Sequence, residues 1–188
     1  MDALGEVVES STQRVTAEAW QLDGLPPLGS LVRVPDGDMV HYGVVSFAQT
    51  GSADPSRRPV ALGLTAEELR REQPQIFTLL RSEFSFVVIG HREGCGGAYR
   101  GYAAPRPPRL HAFVYPASAA EVAEAGADLG YLRRLLAEGG DEVVAAAVRH
   151  FLAAAPDPAA YAVRAGKELL RALGEDAGRF RAVMARLG

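Results

Sequence analysis

The residue vocabulary of the chain changes at Tyr115–Pro116, and that change limits the fold more than any single motif. Before it, Val, Thr, aromatic residues, Gly and Pro recur in short runs. After it, Ala, Leu, Glu and Arg dominate. β-Branched and aromatic residues between turn formers favour short strands, whereas straight-chain residues favour helix. The expected fold is α+β: a β-barrel domain over residues 1–115 and a helical domain over 116–188. Charge does not divide the halves. The first carries 11 basic and 13 acidic side chains, the second 9 and 10.

Within the first half, Gly5–Ser10 and Arg14–Trp20 read as strands; in the latter Val15, Ala17 and Ala19 alternate with Thr16, Glu18 and Trp20. Leu25–Gly29 is a stiff connector, and Ser30–Val34 runs into the turn formers Pro35–Asp38. Met39–Gln49 is the longest strand candidate, and Gly43 inside it suggests a bulge. Arg58–Gly63 is expected to be a short edge strand. Thr65–Glu68 has the capping-box pattern and should open a short helix, with a second over Pro74–Leu80. Phe84–Ile89 is an apolar strand closed by Gly90. Many short strands with one helical insertion predict a small barrel rather than a βαβ sheet.

The second half predicts about four helices in a bundle. Ser118–Glu121 is another capping box. From it Val122, Ala125, Leu129, Leu132 and Leu136 form one apolar stripe ending at Gly139-Gly140. Asp141 caps the next helix, which stops before Pro156. Asp157-Pro158 opens a third that ends at Gly174, and a final helix spans about Asp176 to Leu187.

A formal net charge of −3 argues against a protein that coats DNA or membrane. Cys95 is the single cysteine, so an intramolecular disulfide is excluded and a cytoplasmic setting is expected. The N-terminus has no basic, apolar leader pattern, and no apolar stretch approaches the roughly 20 residues of a membrane span.

Motifs for chemistry are sparse. Gly166-Lys167-Glu168 lacks the upstream glycine and following hydroxyl of a phosphate loop, and it lies mid-helix. Gly94–Gly97 reads as a hairpin turn. His91, Glu93, Cys95 and His111 fall short of a four-ligand zinc set, and neither a metal nor a cofactor is expected. A Cys95 nucleophile paired with His91 or His111 is the one enzymatic alternative. The stretch Arg92–Tyr115 interleaves arginines with Tyr99, Tyr102, Phe113 and Tyr115, the chemistry by which barrels stack single strands. Its plainer reading is a solvated loop. Ala103–Arg109 is a stiff, proline-rich joint between barrel and helices.

Leu25-Pro26-Pro27-Leu28-Gly29-Ser30-Leu31-Val32, followed by Tyr42-Gly43-Val44-Val45, resembles the HAS-barrel family. This is the small β-barrel shared by HerA-type DNA translocases and the catalytic-ring subunits of rotary ATP synthases. Arg57–Gly63, Gln73-Pro74-Gln75, Arg81–Phe84 and Val88–His91 are similar to its stand-alone form, associated mainly with cyanobacteria. The resemblance covers roughly residues 5–115 and extends more weakly into the helices. It implies a barrel that sits on a hexameric ATPase, stabilises the ring and offers a docking surface to a nuclease. In this sequence helices, not an ATPase core, follow the barrel, so no nucleotide chemistry and no catalytic residue carries over.

The expected function is therefore a non-enzymatic protein-binding or assembly module, an adaptor for a P-loop ATPase or DNA-processing complex, or one that self-associates. Candidate protein-binding residues are Arg57, Arg58, Gln75, Arg81, Glu83, Arg106 and Arg109. The alternative is a single-stranded nucleic-acid-binding barrel using Arg100, Tyr102 and Arg109.

Overall fold

The computed structural model describes residues 2–54, 56–94, 96–174 and 176–187. Six strands form a closed, wholly antiparallel barrel: β1 (Gly5–Ser10), β2 (Arg14–Ala19), β3 (Leu31–Asp36), β4 (Met39–Ser52), β5 (Leu80–Glu93) and β6 (Phe113–Pro116). The order around the barrel is β1-β2-β5-β4-β3-β6, with β6 pairing back to β1. Helices follow the barrel, so the fold is α+β.

The period-two pattern decides which side chains fill the barrel. Val7, Val15, Ala17, Val32, Val34, Val45, Phe84, Phe86, Val88 and Val114 form its buried interior. The alternate residues Leu31, Tyr42, Val44, Val87 and Ile89 point outward. They share a second core with Val122, Leu132, Leu135, Val144, Val148, Phe151 and Leu169 of the helices. One face of the barrel is thus also the floor of the helical layer. Each large apolar side chain so buried contributes about 2 kcal/mol.

Register irregularities fall where the sequence places Gly43: between Tyr42 and Gly43, and again between Val45 and Phe47. At Gly43 an added Cβ would stand 2.2 Å from the Phe86 ring, so only glycine fits against that core residue. β4 and β5 continue past the residues predicted for them, and β5 runs through Gly90 to Glu93.

Arg58–Gly63 is not a strand; it is an exposed loop. Its apolar residues alternate, but no neighbouring strand pairs with it. β6, conversely, is a strand within a stretch expected to be loop. Thr65 caps α1 (Ala66–Glu72) through a full capping box, and a 3-10 helix (Pro74–Leu79) follows.

Among the described residues five helices succeed the barrel, where about four were expected: α2 (Ala119–Ala127), α3 (Tyr131–Glu138), α4 (Gly140–Ala154), α5 (Pro158–Leu173) and α6 (Ala177–Ala185). The apolar stripe expected on one helix is split between α2 and α3. The Asp128 carboxylate accepts from the Gly130 N–H at 2.9 Å, and this local turn interrupts the helix there. Ser118 and Glu121 make the second capping box. Glu121 also accepts from the Tyr42 hydroxyl at 2.9 Å and lies 3.6 Å from Arg33, tying the start of the helical layer to β4 and β3.

Candidate functional site

β4 and β5 outrun the rest of the barrel. β3 leaves β4 at Leu31↔Val44 and β2 leaves β5 at Glu18↔Glu83, yet β4 and β5 stay paired to Ser52↔Leu80. The resulting two-stranded arm carries the 53–64 loop, α1 and the 3-10 helix at its tip. Between loop and 3-10 helix lies a cleft of about 540 Å³. Pro59, Val60 and Leu62 line it from the loop, Ile76, Leu79 and Leu80 from the opposite side. Val60 is 79% exposed and Leu79 57%. Arg57 and Arg58 border both this cleft and an adjoining cavity of about 570 Å³ that Arg81 and Glu83 also line.

The charges at the tip are unevenly engaged. Arg57 lies 3.3 Å from Asp54, whose carboxyl is held below its ordinary range by the Ser56 hydroxyl and backbone N–H. Arg81 donates to the Ala53 carbonyl at 2.5 Å and stands 3.7 Å from Glu83 and 3.8 Å from Glu18. Glu83 accepts from Gln49 at 3.2 Å. Arg58 has no hydrogen-bond or ion-pair partner among the described residues and stays available at the rim. Four candidates far apart in sequence, Arg57, Arg58, Arg81 and Glu83, therefore meet at one place. Gln75 is on the same 3-10 helix but does not line either cavity; Gln73 does. Ile76 and Leu79 fall within the Gln75–Glu83 segment expected to offer apolar contact, although the sequence does not single them out.

Arg106 and Arg109 are elsewhere, at the opposite end of β4. Arg109 donates to the Asp36 carboxylate through its backbone N–H at 3.0 Å and its Nε at 2.5 Å. Arg106 donates to Asp38 at 2.5 Å. The Ser10 hydroxyl donates to the Pro108 carbonyl at 2.5 Å, and the His111 N–H donates to Val7. The stretch read as a joint is a strap across the barrel's end, with its own Ala104 buried. The two arginines each pair with a carboxylate, Arg106 with Asp38 and Arg109 with Asp36.

Under the strap, His41 and His91 are paired across β4 and β5, each 1% exposed. The His91 Nδ1 is 3.1 Å from the Tyr102 carbonyl, and the two rings meet edge-on at 5.1 Å. The His41 Nε2 is buried without a partner. Burial pushes His41 below the usual histidine range, and nearby His91 and Arg106 act the same way against the pull of Asp36. Arg100, Tyr102 and Arg109 share this end of the barrel. Arg100 donates to the Tyr102 hydroxyl at 2.9 Å and Arg109 to Asp36, so each of the three has a protein partner, Arg100 and Tyr102 being each other's.

No cluster of three or more His, Cys, Asp or Glu able to hold a metal occurs among the described residues. Cys95 lies outside them, and with it its pairing with His91 or His111. No helix of the described residues is long and apolar enough to cross a membrane. No known family model matches the chain, and no curated protein matches it closely enough to count as a relative.

Proposed function

We propose that the chain is a non-enzymatic protein-binding and assembly module that docks its partner in the cleft at the tip of the β4–β5 arm. The observation that carries this reading is the open cleft of about 540 Å³, floored by Ile76, Leu79 and Leu80 and rimmed by Arg57 and Arg58. Apolar side chains gathered around a concavity mark interaction sites, and arginine beside them anchors a carboxylate with two parallel hydrogen bonds. The partner best suited to it presents an apolar residue next to an acidic one.

In its more specific form, the barrel is a stand-alone relative of the HAS-barrel family serving an ATPase ring or a DNA-processing nuclease. The closed six-stranded barrel is compatible with the resemblance of Leu25–Val32 and Tyr42–Val45, and the partner follows by analogy with that family. The nucleic-acid alternative has less support, because Arg109 is bound to Asp36 and Arg100 to Tyr102.

Affinity capture from native lysate with the tagged chain tests the proposal. An ATPase or nuclease should be enriched, and lost when Arg57→Ala/Arg58→Ala or Leu79→Asp is used as bait. Retention of the same partner by both variants would refute docking in the cleft. The nucleic-acid reading expects binding of a labelled oligonucleotide that falls steeply with salt.

A further inference from the structure

The arm exposes a strand edge that the barrel does not use. The Ala53 N–H donates to the Leu79 carbonyl at 2.8 Å, and the register continues as Ser52↔Leu80, Gly51↔Arg81, Thr50↔Ser82 and Gln49↔Glu83. Hydrogen-bonded and non-hydrogen-bonded pairs alternate in an antiparallel ladder. Gly51 and Gln49 therefore bond to β5, while the backbone groups of Ala48, Thr50 and Ser52 point away from it. On that side β3 has already ended; the last barrel contacts are Gly29 and Ser30 to Val45. Among the described residues no hydrogen bond meets the outward backbone groups of Ala48, Thr50 or Ser52.

This edge also lacks the usual protection. Strand edges are commonly guarded by charge or proline. Residues 46–52 read Ser-Phe-Ala-Gln-Thr-Gly-Ser, with neither. Within the two strands the arm's charges, Arg81 and Glu83, are on β5, while Arg57 and Arg58 of the following loop border a cavity that Gln49–Ser52 line. Phe47 is 49% exposed, and Ala48, Gln49 and Thr50 are exposed as well.

We infer that the chain forms a two-fold dimer by antiparallel pairing of this β4 edge with the same edge of a second copy, centred on Thr50. In that register Thr50 faces Thr50, and Ala48 faces Ser52 in both directions. Every outward N–H and C=O of the three residues finds a partner. Like charges do not oppose one another, and a threonine pair at the axis is favourable across strands. The edge is self-complementary, as an isologous contact requires. The dimer contacts are made by β4 backbone, beside the cavity that Gln49–Ser52 line together with Arg57 and Arg58, so the tests vary Thr50 for the dimer and Arg57, Arg58 and Leu79 for the cleft.

The test is sedimentation velocity of the full chain over a concentration series up to about 100 µM, the range that reveals micromolar association. Wild type should reach twice the 20.0 kDa chain mass. Thr50→Lys and Thr50→Glu should each be monomeric, because like charges then meet at the axis. Mixed in equal amounts, the two should restore the dimer. Thr50→Pro removes an outward N–H at an edge where proline is tolerated, and it should also be monomeric. Circular dichroism should show every variant folded. A wild type that stays monomeric across the series overturns the inference. So does a dimer that survives both Thr50→Lys and Thr50→Pro. Partner capture in the cleft is read separately, so either proposal can fail alone.

Discussion

Arg109 holds Asp36 from two directions, with its backbone N–H on one carboxylate oxygen and its Nε on the other. Asp36 is 5% exposed at the end of β3, and Arg109 lies 73 residues away in the strap. The contact makes the strap part of the barrel.

Loss of the Asp36 carboxylate should loosen the strap. Burial alone would raise this carboxyl, but the Arg109 hydrogen bonds and charge outweigh it and hold it below 3.8. A depressed carboxylate stabilises the fold above its unfolded value, and that stability is lost as pH falls through the folded value. Asp36→Asn should cost about 2 kcal/mol at neutral pH in urea unfolding. It should also flatten the acid limb below pH 3.8. An unchanged acid limb would show that the pair does not contribute.

His41 gives the fold a second acid sensitivity, at higher pH. Its folded value lies below 6.5 because the ring is buried. The unfolded chain therefore binds this proton more readily, and stability falls as pH drops below 6.5 toward the folded value. His41→Leu also removes an unpartnered buried nitrogen. The variant should match or exceed wild-type stability near neutrality and lose the slope below pH 6.5. A thermal-unfolding series in pH decides this.

Tyr131 of α3 and Tyr161 of α5 join their hydroxyls at 2.5 Å inside the helical layer. Tyr161→Phe leaves the deeply buried Tyr131 hydroxyl unpaired and should cost about 2 kcal/mol. Tyr131→Phe/Tyr161→Phe should cost less than the two single changes combined. A double-mutant cycle by urea unfolding measures the difference.

Gly29, in the connector before β3, lies against α4. Its φ is +80°, and an added Cβ would stand 2.4 Å from the Ala146 carbonyl carbon. Gly29→Ala must displace backbone as well as strain φ, so it should cost about 3 kcal/mol. Chemical denaturation checks the magnitude. A loss under 1 kcal/mol, about the size of a surface change, would mean that α4 moves away easily.

Much of the fold was legible because local chemistry decided it. The Thr65 and Ser118 capping boxes formed, and β1 and β2 lie where alternation placed them. Gly43 marked the bulge. What was not legible depends on partners distant in sequence. Phe113–Pro116 is four residues after a proline-rich run, and only the gap between β1 and β3 makes it a strand. Val60 and Leu62 alternate like a strand, but nothing lies beside them to pair. Arg106 and Arg109 carry the same side chain as Arg57 and Arg58; only the fold shows that Asp38, Asp36 and Asp54 hold the first three while Arg58 has no partner among the described residues. The segment that forms the apolar half of the cleft could be named, but not which of its side chains face the concavity, since a burial pattern does not predict which neighbour is missing.

The position of β6 bears on synthesis. Strands β1 to β5 are complete by Glu93, yet the sheet order leaves a gap between β1 and β3 that only Phe113–Pro116 fills. Until Phe113–Pro116 have been made, β1 and β3 lack the strand that joins their edges. The ring closes when residues about twenty further along reach it, and the outer face is then capped by helices made later still. Closure is thus a late, long-range event on the ribosome, and pausing before Pro116 prolongs the interval in which those edges are open to misassembly.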